Sequence, residues 1–176
     1  MDILTDITFR MIKRDDTEIL LDYINTLSQE QTYIMYQGRQ LTYDAEDRYI
    51  ENFMRDVEMG NAVKILAFHG DTLVGVADAT RSTYETEPHI CTFGIMLKKE
   101  WRGKGIGSVL MDKTLEAVST HMAGISIIRL GVFSNNPIAD RMYRKKGFIQ
   151  YGVLPKGLKH KGDYVDHIFM YKRLDI

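Results

Sequence analysis

The sequence predicts a mixed α/β fold in which helices cover both faces of a sheet. Short segments with two-residue apolar alternation, such as Ile7–Ile12, are interleaved with segments of helical apolar spacing, such as the one from Asp15 to Leu27. A glycine-rich, basic segment, Trp101–Gly107, leads directly into a further helix. That helix carries polar side chains on only one narrow stripe, which indicates that other elements cover it on several sides.

Length and composition describe a globular chain. Its 176 residues suffice for one domain with a sizeable core, and 44% are hydrophobic and 27% charged. The net charge of −1 gives no overall basic character, so we expect no nucleic-acid partner. No segment approaches the ~20 apolar residues of a membrane span and the N-terminus lacks the apolar stretch of a signal peptide, so we expect a cytoplasmic protein without a membrane partner.

The cysteine and histidine content bears on whether the protein has disulfides or a metal site. Cys91 is the only cysteine, which excludes an internal disulfide and fits a reducing compartment. No His/Cys cluster has the spacing of metal ligands, so we expect no metal.

The first half of the chain predicts a strand, two helices and three strands. Asp15–Asp16 open the first helix, and His69-Gly70-Asp71 suits a hairpin turn. The polar, tyrosine-rich stretch Gln29–Leu41 has no clear period. The expected elements are Ile7–Ile12, the helix to Leu27, a helix at Asp44–Glu58, and strands at Val63–Phe68, Leu73–Arg81 and His89–Leu97.

The second half predicts a helix, a strand, a helix and two strands. Asn136 is a good N-cap, Pro137 suits a first helical position, and Gly147 is placed to end that helix in a left-handed turn. The expected elements are a helix that the Trp101–Gly107 segment runs into and that ends near Ser119, a strand at Ile127–Phe133, the helix from Asn136, and strands at Phe148–Leu154 and Tyr164–Lys172.

The segment Arg102-Gly103-Lys104-Gly105-Ile106-Gly107 carries the chemistry. A helix N-terminus offers unpaired backbone N–H groups and positive dipole charge, and glycines let a phosphate come close. The pattern of a P-loop is absent, and a dinucleotide fingerprint would need a glycine at Ser108 and an acid about 20 residues further on. The pattern R-x-x-G-x-G is matched fully by Arg102, Gly105 and Gly107.

A second motif follows the first after one helix and one strand. It covers Val132–Phe148 and has the sequence V-F-S-N-N-P-I-A-D-R-M-Y-R-K-K-G-F. Together the two motifs resemble the GNAT superfamily of N-acetyltransferases. The resemblance implies a centrally splayed sheet of six to seven strands and a single N-acetyltransferase domain over residues 1–176. It also implies acetyl-CoA as co-substrate, and an amine acceptor that attacks the thioester directly.

The resemblance also assigns roles to residues. The backbone of Ile95, Met96 and Leu97 would pair with the pantetheine arm, which Asn136 would also contact unless it serves only as a helix cap. Tyr143 would lie near the thioester sulfur as a general acid, with a packed structural tyrosine as the alternative. The diphosphate would be surrounded by Arg102, Gly103, Lys104, Gly105, Ile106, Gly107 and Ser108.

The general base and the acceptor remain open at this stage. Glu85, Glu87 and His89 precede the central strand, and Glu87 is the favoured base. Cys91 is expected to be a core residue rather than a nucleophile. Polyamines, amino acids, other small amines and protein N-termini all remain candidate acceptors, and a homodimer is compatible with the resemblance. The resemblance places the acceptor wall in the region of Tyr33, Tyr36, Tyr43, Asp44, Glu46 and Asp47. Its carboxylates either hold a cationic amine or are the solvated acidic residues of a helix start.

Two other functions compete with this one. A coenzyme A-binding regulatory domain would keep the phosphate loop without catalysis, although the presence of Tyr143 argues against it. A nicotinamide oxidoreductase is disfavoured by the missing glycine and the missing acid.

Overall fold

A computed structural model describes residues 3–174 as one seven-stranded sheet flanked by four helices. The domain expected over residues 1–176 therefore includes four terminal residues that lie outside the described part. The strands are β1 (Ile7–Met11), β2 (Ala62–His69), β3 (Thr72–Arg81), β4 (Ile90–Leu97), β5 (Ile127–Phe133), β6 (Ile149–His160) and β7 (Asp163–Arg173). The helices are α1 (Thr17–Gln29), α2 (Tyr43–Glu58), α3 (Ile106–His121) and α4 (Pro137–Lys145).

The sheet is mixed, with the spatial order β1-β2-β3-β4-β5-β7-β6. All neighbouring strands run antiparallel except β4 and β5, which are parallel. Helix α3 provides the crossover that a parallel pair needs. The predicted fold class is thereby confirmed.

Helices cover both faces of the sheet. Tyr23 and Leu27 of α1 and Ile50 of α2 are buried in one core cluster with side chains of β2 and β3. Ile106 and Leu110 of α3 are fully buried in a second cluster, which also contains side chains of α4, β4 and β5. We refer to these as the α1/α2 face and the α3/α4 face of the sheet.

The sheet opens between its two central strands. β4 and β5 pair only at Ile90–Ile127, Cys91–Ile128 and Thr92–Arg129. Beyond these pairs, β4 remains paired with β3 as far as Leu97, and β5 remains paired with β7 as far as Phe133. The strands therefore separate, and we call the space between residues 93–97 and 130–133 the gap. This confirms the predicted central splay.

The last two strands depart most from the predicted boundaries. β6 continues to His160, well beyond the expected end at Leu154. The pairing with β7 is irregular between Leu154 and Leu158, where Lys156 has a φ of +55°. This irregularity interrupts the two-residue alternation, so the sequence pattern alone ends the strand too early.

Two further findings concern residues 3–174. No helix among them is long and apolar enough to cross a membrane. No group of three or more His, Cys, Asp or Glu side chains among them is arranged to hold a metal ion.

Candidate active site

The start of α3 presents a run of unpaired backbone donors. Gly105 is the N-cap with a φ of +82°, and its carbonyl accepts the N–H groups of Ser108 and Val109. The N–H groups of residues 103–107 donate to no acceptor in the described part of the chain. Gly103 also has a positive φ, and a side chain there would point into open space. Five free N–H groups at the positive end of a helix suit a phosphate group.

Of the two basic side chains of this loop, Arg102 is held by hydrogen bonds and Lys104 lies at the surface. Arg102 donates from Nη2 to Glu30 Oε2 at 2.6 Å and from Nε to the Leu97 carbonyl at 2.9 Å. Its side chain is therefore held by α1 and β4 rather than mobile. The Lys104 ammonium lies over the Trp101 ring, 4.9 Å from its centroid, at the surface. The loop thus combines backbone donors with one exposed cation.

One side of the gap is lined by the backbone of β4. The Ile90 carbonyl and the Lys98 N–H bond towards β3, while the carbonyls of His89 and Leu97 point the other way. Because backbone direction alternates along a strand, Phe93 and Ile95 direct their N–H and C=O groups into the gap. Met96 faces β3, and the Tyr23 hydroxyl donates to its carbonyl at 2.7 Å. Of the three residues expected to pair with the pantetheine arm, Ile95 and the N–H of Leu97 have backbone groups that face the gap, whereas Met96 does not. Phe93 also directs its backbone groups into the gap.

Tyr143 lies on the α3/α4 face beside the gap. Its ring is 6% exposed and packs edge-on against Phe93. Burial raises the pKa of the phenol well above its ordinary value, so the hydroxyl stays protonated at neutral pH. Among the described residues its hydroxyl has no hydrogen-bond partner. Because this hydroxyl is not engaged within the described part of the chain, it is available to a ligand group.

Asn136 caps α4, because its Oδ1 accepts the Ala139 N–H at 3.3 Å. The cap role is therefore observed. Contact between Asn136 and the pantetheine arm stays a prediction.

Glu87, the favoured base, is already engaged. Its Oε2 accepts from the Ser82 hydroxyl at 2.7 Å and from Arg129 at 2.9 Å. These two hydrogen bonds hold the pKa of the Glu87 carboxyl below its ordinary value. A carboxylate of low pKa accepts a proton weakly, which counts against the base role. The other two candidates, Glu85 and His89, are exposed.

Cys91 is fully buried in the core between the sheet and α3, and burial raises the pKa of its thiol to about 12. A thiol of that pKa supplies almost no thiolate at neutral pH. The geometry thus supports the packing role.

The α1/α2 face beside the gap carries a buried ionic cluster that sequence reasoning missed. The Lys64 ammonium contacts Asp78 at 3.3 Å and the Tyr49 hydroxyl at 2.8 Å. Asp78 Oδ1 lies 3.1 Å from the point where a Cβ on Gly94 would stand. Glu46 is 6% exposed, and burial raises the pKa of its carboxyl. The available signal was the charge of Lys64 and Asp78 inside otherwise apolar strands.

The expected acceptor wall separates into two groups. Tyr33 packs against Phe133 and His160 and donates to the Asn135 carbonyl at 2.9 Å, which ties the loop after α1 to the end of β5. Asp47 instead bonds Arg14 at the outer end of α2. The inner members are Tyr33, Tyr36 and Glu46, and the outer members are Tyr43, Asp44 and Asp47.

Comparison with known proteins agrees with this geometry. The model of the acetyltransferase (GNAT) family matches residues 21–148, most of the chain. The chain therefore belongs to the GNAT acetyltransferase family.

Individual relatives cover less of the chain. It is 33% identical over 82 residues to the L-amino acid N-acetyltransferase AaaT of Escherichia coli, which is 47% of this chain and 50% of that protein. It is 38% identical over 85 residues to an uncharacterized N-acetyltransferase of Methanocaldococcus jannaschii, or 48% of this chain and 51% of that one. The matched stretches thus span about half the length of these curated relatives.

Solved structures share the whole fold. A GNAT-family acetyltransferase from Streptococcus pneumoniae aligns with a TM-score of 0.86 at 22% identity, over 96% of this chain and 99% of the other. A putative acetyltransferase from Salmonella typhimurium, solved with acetyl-CoA, aligns with a TM-score of 0.83 at 17% identity, over 97% and 95%. At these identities the likeness is one of fold.

Proposed function

We propose that the protein is an N-acetyltransferase that transfers an acetyl group from acetyl-CoA to a primary amine. The observation that carries this proposal is the joint placement of three features. Five free N–H groups at the start of α3 suit a diphosphate, the gap offers unpaired strand backbone, and Tyr143 presents a free hydroxyl beside it.

The residues present fit acetyl-CoA. The donors of residues 103–107 suit its diphosphate, with Lys104 as a nearby cation. The Ile95 and Phe93 backbone groups suit the amides of an extended arm, in the manner of an added strand. When bound, acetyl-CoA supplies an activated acyl carbon and a thiolate leaving group.

We assign the leaving-group side of the reaction to Tyr143. Its hydroxyl is desolvated and protonated, so it is preorganised to hydrogen-bond a sulfur on which negative charge develops. Because burial makes this phenol a weaker acid than the coenzyme A thiol, its hydrogen bond first stabilises the thiolate charge. The proton that it gives to sulfur after the carbon–sulfur bond breaks is then replaced from water. The amine attacks directly, since the only cysteine is a buried thiol.

For the acceptor we propose a class of compound, the primary amines. The Escherichia coli relative is an L-amino acid N-acetyltransferase, and one structural neighbour is a ribosomal-protein-alanine N-acetyltransferase from Brucella melitensis. A primary amine is common to these acceptors and to polyamines. The inner wall residues Tyr33, Tyr36 and Glu46, on the α1/α2 side, are the proposed lining of the acceptor site.

The test is release of the coenzyme A thiol with acetyl-CoA and a panel of polyamines, amino acids, aminoglycosides and N-terminal peptides. Amine-dependent release supports the proposal. A melting shift with acetyl-CoA and no release with any amine would favour the alternative, a coenzyme A-binding regulatory domain.

A further inference from the structure

The ring of His167 on β7 lies against Gly131, where any residue with a side chain would collide with it. Its ring is directed onto Gly131 of β5, where an added Cβ would stand 2.0 Å from Nε2. The ring also stacks on Phe169 with centroids 4.2 Å apart. The absence of a side chain at position 131 therefore makes room for the imidazole.

The strand register fixes the face on which this ring lies. Gly131 is paired with Phe169, and Phe133 with His167, and directly opposed residues share one face. The intervening Leu130 and Val132 are buried in the α3/α4 core. His167 therefore lies on the α1/α2 face, opposite to Tyr143.

The ring also lies at the edge of the gap. Gly131 lies two positions after Arg129, which is the last residue of β5 that pairs with β4. Phe93, which contacts Tyr143, is the first residue of β4 after the stretch that pairs with β5. Tyr143 and His167 thus stand near the opening of the gap, one on each face of the sheet.

We propose that His167 is the general base that accepts the proton of the attacking amine. This inference rests on the proposed function. The amine nitrogen forms a bond to the acyl carbon and gives one proton to a ring nitrogen of His167. The carbon–sulfur bond breaks, the electron pair goes to sulfur, and the Tyr143 hydroxyl provides the proton for it. Exchange with water then returns both side chains to their resting forms.

The surroundings favour His167 as a neutral base. Burial lowers the pKa of its imidazole below the ordinary value, so the ring is uncharged at neutral pH. On the neighbouring strands, Arg129 pairs with Glu87, Asp166 accepts the Lys156 N–H and Lys159 lies over Tyr164. The ring nitrogens of the buried His160 hydrogen-bond to Asn135 and to the Gln31 carbonyl. None of them contributes to the pKa shift.

Three carboxylates on the same face are the rivals, and one of them, Glu46 of α2, is buried near Lys64, whose positive charge favours the ionised carboxylate. Glu87 is bound by Ser82 and Arg129, and Asp78 is paired with the buried Lys64. In contrast, neither ring nitrogen of His167 hydrogen-bonds to a described residue. An unengaged base whose pKa lies nearer to neutrality is the better proton acceptor.

The test compares kcat and kcat/KM from pH 5 to 9 with the amine that the parent enzyme turns over fastest. We expect His167→Gln to lower kcat at least ~10²-fold and to abolish the acidic limb of the profile. Gly131→Ala, which displaces the ring but keeps the imidazole, should act in the same direction. The acetyl-CoA dissociation constant should stay within about twofold, a change of under ~0.5 kcal/mol. His121→Gln, at the exposed end of α3, is the matched control and should leave the profile unchanged.

Proton NMR provides a readout apart from activity. The imidazole signals lost in His167→Gln should titrate below the ordinary pKa of about 6.5 and should shift when acetyl-CoA is added. An unchanged rate and acidic limb in His167→Gln would overturn the assignment, as would loss of that limb in Glu46→Gln, Glu87→Gln or Asp78→Asn instead. A parent enzyme without amine-dependent thiol release would overturn the proposed function as well.

Discussion

Glu30 and Arg102 are 72 residues apart in the sequence, yet their side chains meet at 2.6 Å and join the end of α1 to the start of the phosphate loop. Arg102 also binds the Leu97 carbonyl, so one guanidinium connects α1, β4 and the loop. The end of α1 and the loop before α3 are thereby held together, so the proposed acceptor lining and the proposed phosphate loop are joined by one side chain.

We expect this ion pair to contribute to stability and to loop order. Glu30→Gln should lower the free energy of unfolding by about 1–2 kcal/mol. A hydrogen bond to a charged group contributes about 1.5–3 kcal/mol, and solvent screens this partly exposed pair. A double-mutant cycle with Arg102→Gln should give a coupling of about 0.5–2 kcal/mol in denaturant unfolding. Strictly additive losses would show that the two side chains do not interact in solution.

The proposed phosphate site at the start of α3 predicts a selective loss of acetyl-CoA binding when Gly105 is replaced. Acetyl-CoA at a hundred times its dissociation constant should stabilise the parent by ~2.7 kcal/mol. Gly105→Asp should abolish this stabilisation, because it places a negative charge at the N-cap of α3. Gly124→Asp is the matched control, since Gly124 has a φ of +81° and lies in an open turn away from the site. Equal stabilisation of both variants by acetyl-CoA would contradict the site.

The fold is more predictable from the sequence than the site is. The Arg102–Gly107 loop, the Asn136 cap and Tyr143 belong to local motifs that directly determine backbone geometry, so sequence spacing identifies them. The contacts of His167 with Gly131 and of Lys64 with Asp78 depend on strand register, which arises from pairing between distant segments. The end of β6 was misplaced because the irregular residues after Leu154 break the alternation.

Cys91→Ala should retain most of the activity. The thiol is buried, and a pKa of about 12 leaves almost no thiolate for nucleophilic attack. The variant should unfold with a loss of about 1 kcal/mol, which is typical of a small core truncation. Steady-state turnover and mass spectrometry of the parent with acetyl-CoA check this. A trapped acetyl-cysteine in the parent, with inactivity of a folded variant, would establish an acyl-enzyme route instead.

Tyr143→Phe should separate turnover from binding and stability. No described residue hydrogen-bonds the hydroxyl, so its removal should change the free energy of unfolding by less than about 0.5 kcal/mol. Turnover should fall at least ~10²-fold, while the acetyl-CoA dissociation constant remains unchanged. Tyr84→Phe, in the exposed loop before β4, is the control. Turnover within about threefold of the parent, with chemistry rate-limiting, would reduce Tyr143 to a packing residue.

The central claim, acetyl transfer to an amine at the gap, is tested most directly by following an isotopically labelled acetyl group. The parent protein is incubated with labelled acetyl-CoA and the amine panel, and the products are identified by mass spectrometry beside a Gly105→Asp sample. We predict a labelled N-acetyl product in amounts equal to the free thiol released, and none from Gly105→Asp. Acetyl-CoA that binds to the parent, as shown by a melting shift, but leaves its label on no amine would contradict the account.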